Sequence, residues 1–62
     1  PKWIKWEDKL PPDQEEVLVC TVSQKGIQNI DKGYWSIDHF IHRGHARVTH
    51  WMPLPEAPKE EK

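Results

Sequence analysis

The sequence predicts a small all-β domain. Val17 to Val22 is an unbroken run of β-branched and apolar residues, the signature of a strand covered on both faces. The segments SQKG, DKG and IHRG put glycine-bearing turns between further apolar stretches, at the short spacing of an antiparallel meander. Paired prolines bound the pattern at each end, Pro11 and Pro12 before it and Pro53 and Pro55 after it, since proline neither continues a helix nor donates to a ladder.

Taken in order, PKWIKWEDKL mixes Trp3, Ile4, Trp6 and Leu10 with charges, and the prolines that follow leave room for one helical turn at most, over residues 7–10. EVLVCTV is the first strand, GIQNI the second, YWSIDHF the third and HARVTHWM the fourth. The DKG turn ends in Gly33, a residue that tolerates positive φ. Residues 1–55 read as one small β domain, and residues 56–62 as a charged, frayed tail.

If residues 41–44 are the last loop, counting outward sets Asp38 against Arg47, Ser36 against Thr49, Tyr34 against Trp51 and Trp35 against His50. The first three are favourable cross-strand pairs: an ion pair, a hydroxyl pair and an aromatic pair. The same counting through the earlier turns collects Leu18, Cys20, Val22, Ile27, Trp35, Ile37, Val48 and Met52 on one face as the expected core. Val17, Val19, Ile30, Tyr34 and Trp51 fall on the other face, too apolar to stay wet. Trp3, Ile4, Trp6 and Leu10 are the segment able to cover it. The expectation is a four-stranded antiparallel meander, strongly twisted or barrel-like, with the N-terminal aromatic segment packed across it.

Composition narrows the class of function. A 62-residue chain of this kind is one domain and buries only about 60% of its unfolded surface, so large side chains must compensate. Four tryptophans do so. The formal net charge of −1 offers no basic excess for a phosphate backbone, which makes nucleic acid an unfavoured partner. The single Cys20 cannot form an internal disulfide, and this points to a reducing, cytoplasmic setting. No apolar run approaches the roughly 20 residues of a membrane span, and the opening lacks a signal-peptide core.

The framework WIKWEDKLPP, then EVLVC, then VTHWMPLPEAP, resembles small phage and prophage proteins grouped as the domain of unknown function 551 family. The likeness covers both ends and the first strand, and its most specific part is the heptapeptide of residues 49–55. It implies a phage or prophage source and a small β-rich fold, and implies no activity.

Among chemistry-bearing residues, His39, His42, His45 and His50 with Cys20 are the set from which zinc would draw ligands. The expected register scatters them: His39 and His50 on the core face, His42 in the loop, His45 pointing away. Cys20 with His50 as base lacks an oxyanion donor and an orienting third group, and Asp38 with Glu15 and Glu16 makes no carboxylate dyad. No catalysis and no cofactor are expected.

The loop HFIHRGHAR reads instead as a contact surface, with Phe40, Ile41, His42, Arg43, His45 and Arg47 supplying aromatic, apolar and cationic groups around a glycine. The expected role is that of a non-catalytic phage accessory protein that binds a host or defence-system protein. The alternatives are an oligomer that sequesters a small nucleotide and a zinc-binding structural module. An exposed edge at Val17 to Val22 would invite a homo-oligomer.

Overall fold

The computed structural model describes residues 2–55. Its strands are β1 (Ile4–Lys5), β2 (Val17–Val22), β3 (Gln28–Ser36), β4 (His39–His42) and β5 (Arg47–Pro53). They form one antiparallel sheet of five strands in the order β1-β5-β2-β3-β4. The all-β class, the antiparallel pairing and the N-terminal cover agree with the expectation, whereas the strand number and the neighbours do not. The charged tail of residues 56–62 lies outside the described residues.

β5 does not zip onto β4. It inserts between β1 and β2, pairing Val17 with Pro53, Val19 with Trp51 and Cys20 with His50. This overturns the expected pairs of Asp38 with Arg47, Ser36 with Thr49, Tyr34 with Trp51 and Trp35 with His50. DKG is not a turn either: Asp31, Lys32 and Gly33 lie inside the nine-residue β3, and the chain reverses at Ile37 and Asp38 instead. β2 is therefore a central strand flanked by β3 and β5, not the expected free edge. Its continuous apolar run follows from that position, because both its edges and both its faces are covered or half-covered.

The faces are exchanged as well. Val17, Val19 and Thr21 point inward and are buried, while Leu18, Cys20 and Val22 point outward and are half-buried. Cys20 faces His50 but Thr21 faces Val48, so Thr49 is an extra residue on β5, a β-bulge. Its hydroxyl donates to the Cys20 carbonyl at 3.3 Å. The bulge lets Val48 and Trp51 share the inner face, which strict alternation would forbid.

The N-terminal segment closes this face, as expected of its aromatic content. Ile4 of β1 pairs with Trp51, and the Lys5 carbonyl accepts from the N–H groups of Asp8 at 3.0 Å and Lys9 at 3.2 Å, a turn that begins before the one helical turn expected over residues 7–10 and does not become a helix. Trp6 Nε1 donates to the Val48 carbonyl at 3.1 Å, and its ring stacks on Trp35 with centroids 6.2 Å apart. Trp51 Nε1 donates to the Lys9 carbonyl at 2.8 Å. Farther along, Pro11 is buried, and the Gln14 N–H reaches the Trp35 carbonyl at 2.7 Å beside a bridge between Asp13 and Trp35. The segment thus passes from the β1 edge over β5 and β2 to β3. Val17, Val19, Val48 and Trp51 are buried beneath it, with Ile4, Trp6 and Phe40 packed around them.

Gly33 makes the β3–β4 junction possible, since a Cβ there would sit 2.8 Å from the Ile41 carbonyl and 3.1 Å from the His42 Cβ. Gly33→Ala will lower stability by about 1–3 kcal/mol through that overlap. Trp51→Ala will cost about 3–5 kcal/mol. Against a total on the order of 5 kcal/mol for a domain this small, that unfolds most of the population, as a urea titration followed by circular dichroism will register.

Candidate functional site

The six residues expected to form the contact surface are distributed over both faces and one loop. Phe40 turns inward and meets Trp35 edge-on at 5.1 Å, so it serves the core rather than a visitor. Ile41 faces outward opposite Tyr34, and His42 faces inward opposite Gly33. Arg43 and His45 are exposed in the loop between β4 and β5, and Arg47 is exposed where β5 begins. Phe40, His42 and Arg47 come together around a shallow depression with Trp6 and Trp35. Arg43 and His45 open onto a different hollow, beside Asn29 and Asp31.

The histidines do not converge. Among the described residues no group of three or more His, Cys, Asp or Glu side chains is placed to hold a metal ion. Each has a local partner instead. His39 Nδ1 lies 2.8 Å from an Asp38 carboxylate oxygen, so Asp38 is partnered by its neighbour and not by Arg47. His42 Nδ1 donates to the Arg43 carbonyl at 2.7 Å. His50 Nδ1 is 2.9 Å from Thr49 Oγ1, whose one proton is already committed to the Cys20 carbonyl; the imidazole must therefore be the donor. That leaves His50 Nε2 with the lone pair whenever the ring is neutral.

Cys20 is a half-buried free thiol on the outer face, not a core residue. It lines a concavity of about 550 Å³ with Trp3, Gln28, Asn29, Ile30 and His50. The surrounding outer face is left open. Trp3, Ile30 and Tyr34 are exposed there, Leu18, Met52 and Ile41 half-buried, and the charged positions that the register adds are Lys5, Lys32 and Arg47, all basic.

Ile37 is the residue the sequence reading misplaced most. Expected in mid-strand within the core, it stands at the tip of the β3–β4 hairpin, 84% exposed. Its φ is 61°, a left-handed conformation costly for a β-branched side chain. The Asp38 N–H closes the turn on the Ser36 carbonyl at 2.6 Å, the strained three-residue form, and Asp13 accepts the Ile37 N–H at 3.3 Å. No glycine, asparagine or proline marks the reversal, and the turn-favouring Ser36 and Asp38 on either side of Ile37 are its local signal.

Comparison with known proteins places this arrangement. The protein family described as a protein of unknown function, DUF551, matches residues 2–59. The chain belongs to that family. It is also similar to an uncharacterized 7.8 kDa protein in the ral-gp17 intergenic region of Salmonella phage P22, 36% identical over 66 aligned residues that cover 95% of this chain and 98% of that protein. No solved structure matches. The matched span takes in the residues that build the covered face: Ile4 opposite Trp51, Val19 opposite Trp51, and the Lys9 carbonyl accepting from the Trp51 indole beside Leu10 and Pro11. In this DUF551 chain they build the architecture.

Two measurements check the local geometry. Ile37→Gly will raise stability by about 1 kcal/mol, because relief of the strained φ outweighs the extra chain entropy of glycine, and the melting temperature will rise by about 4–8 °C. Nitrogen-detected NMR at a pH where the imidazole is neutral will show the Nδ1–H tautomer at His50, and Thr49→Val will release that preference.

Proposed function

We propose that this phage-associated protein is a non-catalytic accessory factor, working in the cytoplasm of a bacterial host by binding a protein of that host or of its defence systems. Ile37 carries the reading. A glycine would make the same turn without strain, and the fold uses none of the isoleucine side chain, which stands 84% exposed. A strained backbone that holds a large apolar group in water favours the partner-bound state, where burial of that group supplies free energy. Asp38 and His39 flank the tip and also line the depression with His42 and Arg47, so polar contacts are available around the anchor. The step from phage relatives to a host partner is an analogy of kind.

A second reading, sequestration of a small nucleotide, is favoured by the concavity in which the Trp3 indole faces Gln28, Asn29 and His50, a setting for a planar base. Arg43 and Arg47, the expected phosphate grips, do not line it.

Affinity capture from host lysate followed by titration of the purified partner tests the first reading. Ile37→Gly will weaken binding at least about tenfold while the protein itself becomes more stable, a pairing of signs that misfolding cannot produce. Equal affinity for the two forms refutes the anchor. Thermal-shift screening against nucleotides, with Trp3→Ala as control, decides the second.

A further inference from the structure

We propose that the concavity floored by Cys20 and His50 recognises an uncharged heterocyclic base, so that a nucleoside fills it and a phosphate adds no affinity. This rests on the sequestration reading and names what the site selects. By register His50 faces Cys20 and Cys20 faces Ile30, an outward row across β5, β2 and β3. Trp3, just before β1, borders the row on one side, and Gln28, paired with the outward Val22, borders it on the other. Asn29 completes the lining.

The polarity of His50 decides the chemistry. Its Nδ1–H is spent on Thr49 Oγ1, whose own proton goes to the Cys20 carbonyl. Thr49 lies outside the concavity and His50 lines it, so the far edge of the ring, with the Nε2 lone pair, is the edge turned inward. A ligand there must bring an N–H, as the amino and imino edges of a base do. A phosphate at neutral pH brings acceptor oxygens and would set lone pair against lone pair. Gln28 adds a carboxamide, donor and acceptor together, which matches the neighbouring donor and acceptor on the edge of a base. The Trp3 indole supplies a face on which the ring stacks.

Charge points the same way. None of the six lining residues is a lysine, arginine, aspartate or glutamate. The cations nearest on this face stand outside, Lys5 opposite His50 and Lys32 two residues beyond Ile30. A phosphate drawn into the concavity would lose water without meeting a counter-charge. The volume of about 550 Å³ falls within the roughly 300–1,000 Å³ of small-ligand pockets, and the open outer side leaves the 5′ position of a ribose in water.

The test is an NMR titration of the full chain with adenosine, guanosine, cytidine and uridine and with their 5′-monophosphates, at about 0.15 M salt so that the outlying lysines are screened. At least one nucleoside should saturate the protein, and its monophosphate should bind within about threefold of it. Trp3→Ala and His50→Leu should each weaken binding at least about tenfold, whereas His50→Gln, which keeps an acceptor, should stay within about threefold of the unaltered chain. Arg43→Ala and Arg47→Ala should change nothing. In the unaltered chain the His50 Nε2 resonance should move toward the protonated, pyrrole-like range on saturation, a readout that needs no variant to fold. A monophosphate bound at least about tenfold tighter than its nucleoside overturns the inference and leaves sequestration standing. An unmoved Nε2 resonance, or His50→Gln as weak as His50→Leu, overturns it too. No binding by any of these compounds removes both.

Discussion

One covering layer makes this sheet a folded protein. A five-stranded sheet with a single apolar face cannot hold itself together in water, and the chain supplies no helix to lie on it among the described residues. The N-terminal segment takes that place. Its irregular backbone is fastened by bonds that leave no freedom to slide: Trp6 to the Val48 carbonyl, the Trp51 indole to the Lys9 carbonyl, and the Gln14 N–H to the Trp35 carbonyl. Two of the three use an indole N–H, a donor that comes attached to a large apolar ring. Burial and hydrogen bonding are thus provided by the same residues, which is why so short a chain carries so many tryptophans.

This explains which parts of the fold could be read in advance. Strand content and the need for an aromatic cover depend on local pattern and on composition, and both were legible, whereas the turn expected over residues 7–10 closes earlier, between Lys5 and Lys9. Pairing was not. Counting outward from a loop assumes that successive strands are neighbours, and the residues of the final strand do satisfy that assumption chemically when laid against residues 34–40. The competing partner, β2, is far away in sequence and has a better apolar surface. The inserted Thr49 hides the choice further, because it puts Val48 and Trp51 on one face where alternation would separate them. An apolar run such as VLVCTV has no polar face to betray which side is inward, so the exchange of faces followed directly.

The candidate site was less legible, for a related reason. Arg43, His45 and Arg47 are exposed, but Phe40 packs on Trp35 once the true hairpin brings them together. Ile37 escaped notice because an isoleucine at positive φ violates the very preferences from which turns are predicted. Ile4, Trp6, Val19 and Trp51 account for the covered layer, while the tip, the loop and the open face carry what the architecture leaves unexplained.

The position of β5 between β1 and β2 also governs how the chain acquires its structure. β2, β3 and β4 can zip in succession, each onto the strand just made, but the layer they present has an apolar edge at β2 until residues 47–53 arrive. β1 has no strand neighbour before that moment, and of the covering segment's ties only those to Trp35 and Ile37 are available. The last strand therefore acts as a latch, closing both ends of the chain in one event. Topologies dominated by such distant pairings assemble in milliseconds to seconds rather than microseconds, and during that interval the half-made sheet is at its most adhesive.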